Sequence, residues 1–313
     1  MAGPMSERQM SERQNAMRDG LRAAAAVAGM PDLEIVLPQD HDVILGRLRF
    51  HYLDWGGPGR VPVVFLHGGG LTAHTWDLVC LRLREEYRCL APDARGHGDT
   101  EWSREMDYAP RAHAADVELF VQKLGLDRPV LVGMSMGGAT AVTYAQQHGL
   151  RALVIIDTGP AIRAEGGQKI INFMRAPAEF ASLDDAIAAA MAFNPRRDPA
   201  LLRRSLEHNL MKLPTGSLTW KYDRRHYGML DDPAHRARRD EIWSGVGAIQ
   251  CPTLVVRGGQ SEVFPAEAAL DFARRLPDGR LAEVPNAGHT VQGDNPRDLA
   301  TEISVFLKEV VAA

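Results

Sequence analysis

The sequence predicts an α/β protein: a mostly parallel sheet with helices on both faces, split by a long helical insertion. Short β-branched runs such as VPVVFL, Val61 to Leu66, alternate with segments of helical periodicity, the order expected where helices join parallel strands buried on both faces. Glycine-rich turns follow the strand runs at His67-Gly68-Gly69-Gly70, at Gly133-Met134-Ser135-Met136-Gly137 and at Gly258-Gly259. Between Gly159 and Ile249 the strand pattern stops for about ninety residues, far longer than an ordinary loop.

The 313 residues suffice for one large α/β unit carrying an insertion or for two modest domains, and 45% hydrophobic content supplies a sizeable core. A formal net charge of -4 gives no long-range attraction for nucleic acid or an anionic membrane surface, so neither partner is expected. Cys80, Cys89 and Cys251 stand in apolar surroundings without metal-ligand spacing. They read as small core residues of a protein in a reducing cytoplasm.

Taken in order, residues 1–32 read as a helical or disordered extension in which MSERQ occurs twice, at Met5 to Gln9 and Met10 to Gln14. Arg18, Asp19 and Arg22 interrupt any signal-peptide core before the small apolar run Ala23 to Ala28. No stretch reaches the roughly 18 apolar residues of a membrane span. The alternating runs LEIVLP, from Leu33, and RLRFHYLDW, ending at Trp55, predict two antiparallel strands closed by the turn Gly56-Gly57-Pro58-Gly59. After the buried strand Val61 to Leu66, a helix is expected over Thr75 to Glu86, a strand over Tyr87 to Pro92, and a loop over Asp93 to Asp99. Arg95 and His97 there read as supports of the loop's own backbone. Helical spacing over Tyr108 to Leu124 ends at Gly125, a C-cap signal.

RPVLVGMSMGGATAVTYAQQH, Arg128 to His148, is the stretch on which the chemistry rests. It reads as a buried strand, a sharp G-x-S-x-G turn and a small-residue helix, the context in which a serine is forced onto a strained turn with its hydroxyl clear of the sheet. A strand over Arg151 to Asp157 follows. The insertion, residues 159–249, is helical in pattern over Gln168 to Arg175, Leu183 to Phe193 and Pro199 to Met211, and predicts a cap whose aromatics divide between packing and a pocket wall. Strands return at Cys251 to Arg257 and Leu281 to Val284, and a final helix runs from about Arg297 to Val311. Residues 33–158 and 250–313 thus form the core unit. His289 lies in the loop after the last strand, where open parallel sheets place ligands.

FLHGGG, PDARGHG, GMSMGG, LVVRGG and PNAGH, in that order and with the insertion between the third and fourth, resemble the α/β-hydrolase superfamily from about residue 33 onward. The resemblance implies a mostly parallel eight-stranded sheet, a nucleophile, acid, histidine order along the chain, and a pattern most similar to small capped esterases, lipases and C-C bond hydrolases. Ser135 stands where some members have aspartate, which argues against epoxide hydrolase and haloalkane dehalogenase chemistry. His289 is implied as the base that takes the serine proton. The acid is less regular: Ser261 occupies the place where most relatives carry aspartate, and a subset shifts the acid one residue on, here to Glu262. Asp157, at the end of the preceding strand, is the competing acid. The oxyanion hole implied is the backbone N-H of Met136 and that of Gly69. No metal and no organic cofactor are implied, since Rossmann, P-loop and His/Cys-cluster patterns are missing from the sequence.

The function expected is therefore hydrolysis of a small carboxylic ester, lactone or acylglycerol through an acyl-enzyme. The alternatives are C-C bond hydrolysis of a diketone or dienone, with Arg224, Arg225, His226 and Tyr227 meeting an acidic substrate, and a ligand receptor that has kept the fold without turnover. A homodimer is compatible with either enzyme reading.

Overall fold

The structure, a computed structural model, describes residues 7–57, 61–176, 179–225 and 241–311. Pro58 and Gly59 of the expected turn, and His226 and Tyr227 of the insertion, lie outside the described residues.

The chain enters as helix α1 (Glu7–Val27), whose C-terminal half seats Leu21, Ala24 and Ala25 in the core. Strands β1 (Gln39–Leu45) and β2 (Leu48–Asp54) form an antiparallel hairpin around Gly46, whose φ of +59° suits the tight turn. The first strand therefore lies after the LEIVLP run, not on it. The hairpin register pairs Leu45 with Leu48, which leaves Leu33, Ile35 and Val36 to pack on the core as irregular chain.

Strands β3 (Pro62–Leu66), β4 (Arg88–Pro92), β5 (Val130–Met134), β6 (Ala152–Ile156), β10 (Thr253–Gly258) and β11 (Gly279–Val284) complete an eight-stranded sheet in the order β1-β2-β4-β3-β5-β6-β10-β11. In this sheet only β1 with β2 and β2 with β4 pair antiparallel; β4 pairs parallel with β3, as expected from the continuous apolar runs of β3, β4 and the strands after them. Alternation then sorts the side chains. Phe65, Val132 and Ile156 face a layer containing α1, α2 (Asp77–Leu83) and the last helix (Pro296–Val311). Val64, Leu131 and Ile155 face α3 (Pro110–Lys123), α4 (Met136–Ala145) and the helix Ala266–Arg275. Each such side chain, fully buried, contributes about 1.5–3 kcal/mol.

Between β6 and β10 lie α5 (Ala164–Arg175), α6 (Leu183–Phe193) and α7 (Pro199–Asn209), with a small antiparallel sheet of β7 (Glu179–Phe180), β8 (Leu210–Lys212) and β9 (Leu218–Trp220). That sheet departs from the helical expectation. The helix predicted to reach Met211 stops at Asn209 because Leu210 to Lys212 pair with β9 across the Pro214-Thr215-Gly216 turn. Among the described residues no helix is long and apolar enough to cross a membrane.

Candidate active site

The carboxyl ends of β5, β6 and β11 converge, as the topology of a parallel sheet requires. At the first of these ends Ser135 holds φ 52° and ψ -112°, a conformation rarely adopted by residues other than glycine. Its amide donates to the Ile156 carbonyl at 3.1 Å and its carbonyl accepts from Ala139 at 3.0 Å, so the strain is pinned from both sides. A Cβ on Gly133 would come within 2.3 Å of the Gly137 carbonyl oxygen, and one on Gly137 within 2.2 Å of that of Leu66. The G-x-S-x-G pattern is thus a packing requirement of the turn.

Ser135 Oγ lies 3.2 Å from His289 Nε2, and His289 Nδ1 donates to Asp157 Oδ2 at 2.8 Å. A carboxylate only accepts, so Nδ1 carries the proton and Nε2 is left free to accept from the serine. Asp157 is fully buried and follows β6, which is flanked by β5 on one side and β10 on the other. Its Oδ1 accepts from the Gly258 amide at 2.9 Å, and its Oδ2 also accepts from Ser261 Oγ at 2.6 Å. Three donors hold the carboxylate in one orientation.

Glu262, expected as the acid, is not the partner of His289. Its side chain is about half exposed and spans Lys169 Nζ at 3.1 Å and Arg196 Nη2 at 2.7 Å. These hydrogen bonds, that of Arg196 foremost, hold its carboxyl below the usual glutamate range. The physical reason is local. Ser261 turns inward and accepts from the amides of Val263 and Phe264 at 3.2 and 3.1 Å, which sends the next side chain outward. The competing acid, Asp157, is the one brought to the imidazole. Ser261 and Gly258 were not singled out as its supports, and no periodicity or spacing would have marked them.

The loop after β3 is held by His67. Its Nδ1 donates to the Gly68 carbonyl at 2.8 Å while its Nε2 accepts from the Ala94 amide at 2.9 Å. Burial pushes the pKa of this imidazole down, in keeping with a neutral ring that donates at one nitrogen and accepts at the other. Gly69 and Met136 line the same cavity as Ser135 and His289, and neither amide is engaged by another described residue. His97 supports the loop's own backbone as expected, its Nδ1 donating to the Arg95 carbonyl at 3.1 Å, whereas Arg95 ties the loop to its surroundings, forking onto Asp116 of α3 and reaching the Asp107 carbonyl at 2.9 Å. Arg224 and Arg225, expected to meet a substrate, are occupied instead by the Arg175 and Ala176 carbonyls and by Asp223.

The cavity over Ser135 has a volume of about 380 Å³. Its floor is the Gly68-Gly69-Gly70 loop and Ser135, and the insertion supplies a largely apolar wall including Ile170, Phe173, Leu206 and Trp220. That combination, an apolar body with a few convergent polar groups, fits a small organic molecule.

Comparisons with known proteins agree with this architecture. The profile of the alpha/beta hydrolase family matches residues 63–302. The esterase Rv0045c of Mycobacterium tuberculosis is 32% identical over 273 residues, covering 84% of this chain and 87% of the relative. A solved structure of that esterase has a TM-score of 0.74 at 30% identity and covers 92% of this chain and 97% of its own. A 3-hydroxybutyrate-oligomer hydrolase of Cupriavidus necator is 26% identical over 280 residues, 83% of this chain and 94% of the relative.

Proposed function

The chain belongs to the alpha/beta-hydrolase family, and from that premise we propose that it is a carboxylic ester hydrolase acting through an acyl-enzyme on Ser135. The observation that carries the reading is the line of hydrogen bonds from Ser135 through His289 to Asp157 at the floor of a cavity. The likeness to an esterase and to an oligoester hydrolase supports ester bonds as the target.

In this reading Ser135 Oγ attacks the ester carbonyl carbon as His289 Nε2 takes its proton, and Asp157 stabilises the imidazolium that forms. The oxyanion is received by the amides of Met136 and Gly69, each donor being worth about 100- to 1000-fold in rate. His289 then protonates the departing alkoxide, the C-O bond breaks, and a water activated by the same imidazole releases the acid. Residues 159–249 act as the cap that selects the substrate, a small ester, lactone or acylglycerol. Cys80, Cys89 and Cys251 are all buried and free, which supports action in the cytoplasm.

The test is a p-nitrophenyl ester assay with Ser135→Ala. Turnover should fall by roughly 10⁴-fold or more with folding intact, and an organophosphonate should label Ser135 in the parent. Turnover within tenfold of the parent, or a label mapped to another residue, would overturn the assignment.

A further inference from the structure

The segment Asn194-Pro195-Arg196-Arg197-Asp198 joins α6 to α7 and carries two adjacent arginines. Pro195 breaks the helix before them, and Asp198 caps α7 by accepting from the Ala200 and Leu201 amides at 2.8 and 3.3 Å. Fixed between those two points, the arginines reach different surroundings. Arg196 turns to Glu262, which it shares with Lys169, so the two rim cations are bridged by one carboxylate.

Arg197 has no such partner. It lines the cavity over Ser135, yet among the described residues its guanidinium forms no ion pair and no hydrogen bond, and its Nε is fully buried and unsatisfied. The group packs against Gly293, where a Cβ would stand 2.7 Å from Nη2, so the bare glycine makes its room. Asp294 acts on it electrostatically without an ion pair, its oxygens accepting from the Gly288 amide at 2.9 Å and from Asn194 Nδ2 at 3.3 Å. Burial pulls the Arg197 pKa below the ordinary guanidinium value, the mark of a cation short of solvent. A guanidinium nonetheless stays charged at neutral pH, and a half-buried charge whose only counter-charge among the described residues, Asp294, acts without a hydrogen bond is costly. It presents a rigid fork of donors suited to two oxygens of one anion.

We infer that Arg197 receives a carboxylate of the substrate, and that the preferred esters are anionic: an apolar body set against Phe173, Leu206 and Trp220, with a carboxylate apart from the ester that is cleaved. This rests on the ester hydrolase reading for the chemistry at Ser135, but the anion site makes a claim of its own. Arg196 and Lys169, already bridged by Glu262, are not asked to supply it.

Two matched pairs of esters test the inference and tell on which side of the ester the anion lies. The p-nitrophenyl monoester of glutaric acid against p-nitrophenyl valerate places the carboxylate in the acyl part. Butyryl 4-hydroxybenzoate against its methyl ester places it in the leaving group. One anionic member should exceed its neutral counterpart in kcat/KM by roughly 10- to 100-fold, mainly through KM, as expected for a charge-assisted pair away from solvent. Arg197→Met should erase that preference while leaving the neutral esters within about threefold, and Arg197→Lys should restore part of it. No preference in either pair, or a loss in Arg197→Met shared equally by neutral esters, would overturn the inference.

Binding separates this claim from the hydrolase reading. Ser135→Ala protein should bind monobutyl glutarate and not dibutyl glutarate in calorimetry, and the added Arg197→Met change should abolish binding. Such binding, where the parent protein with Ser135 intact shows no esterase activity, would sink the ester hydrolase reading alone. Ester turnover without Arg197-dependent binding would sink the anion site alone. Arg197→Gln, with thermal unfolding of each variant, guards against a change that merely fails to fold.

Discussion

Two aspartate-histidine pairs stand at the sheet, and their outer neighbours set them apart. Asp93, just past β4, lies 2.8 Å from His51 Nδ1, and Asp157, just past β6, lies 2.8 Å from His289 Nδ1. Both carboxylates are buried and both take backbone donors, Asp93 from Ala73 and Asp99 and Asp157 from Gly258. The difference is at the far ring nitrogen. His51 Nε2 faces a second carboxylate, Asp40, at 3.1 Å, whereas His289 Nε2 faces the Ser135 hydroxyl at 3.2 Å. An imidazole between two anions is locked as a cation and becomes a clamp. One between an anion and a hydroxyl keeps an acceptor free and can move a proton.

The largest test of this contrast is Asp157→Asn. An amide cannot stabilise an imidazolium and favours the wrong tautomer, so kcat should fall by about 10⁴-fold on any good ester. The matching change Asp93→Asn should lower stability and leave kcat of the folded fraction within severalfold. A steady-state assay paired with urea unfolding reads both, and the contrast fails if Asp93→Asn proves the more damaging to kcat.

The clamp should also show itself in pH-dependent stability. Burial alone would depress His51, but its hydrogen bonds to Asp40 and Asp93 prevail and carry it up to about 10. Burial alone would raise Asp93, but the hydrogen bond from His51, the charge of that ring and the Asp99 amide bring it down to about 2. A raised histidine stabilises the fold fully below its unfolded value near 6.5 and loses that contribution as pH climbs toward 10. A depressed aspartate stabilises above its unfolded value near 3.8 and loses that contribution as pH falls toward 2. Stability should therefore be greatest between about pH 4 and 6.5 and drop by about 2 kcal/mol on either side. The two shifts describe one interaction and are not added. In His51→Gln the alkaline slope should vanish, and a slope unchanged from the parent would refute the clamp.

Much of this was legible from the residues. Buried β-branched runs, the glycine turns and the long gap between strand runs gave the sheet and the insertion. Ser135 and His289 were singled out because a strand-turn-helix context and a loop after the last strand are local patterns. The acid was harder to read because its identity is settled between strands. Sequence marks both Asp157 and Glu262 as acids at strand ends, and only the packing of β6 between β5 and β10 brings the first under the Gly258 amide and the Ser261 hydroxyl. Arg197 is hidden for the same reason: nothing in the dipeptide Arg196-Arg197 tells which cation meets Glu262 and which is left facing the cavity. The hairpin of β8 and β9 is hidden in the sequence because Leu210 and Met211 continue the apolar spacing of α7.

A smaller effect is expected where the Asp157 carboxylate is held in place. Ser261 Oγ donates to Asp157 and accepts from two amides, so it ties the β10 loop to the carboxylate. Ser261→Ala removes one of three donors and leaves those amides unsatisfied, which should cost about 1–3 kcal/mol of stability and roughly tenfold in kcat. Loss of stability with kcat fully retained would mean that the remaining donors from Gly258 and His289 suffice to orient the acid.

The smallest effect is expected where the sequence pointed first. Glu262→Gln removes a charge from a side chain that is 48% exposed and paired with two equally accessible cations. Exposed pairs of this kind contribute about 0–1 kcal/mol, so unfolding should barely move. Turnover of a neutral ester should stay within about threefold, because His289 keeps its hydrogen bond to Asp157. What should change is the rim: with Glu262 uncharged, Arg196 and Lys169 add positive potential beside Arg197, and an anionic ester should gain a few-fold in kcat/KM at low salt, fading as salt screens it. A hundredfold fall in kcat for neutral esters would return Glu262 to the position of triad acid and place the Asp157 hydrogen bonds in a purely structural role.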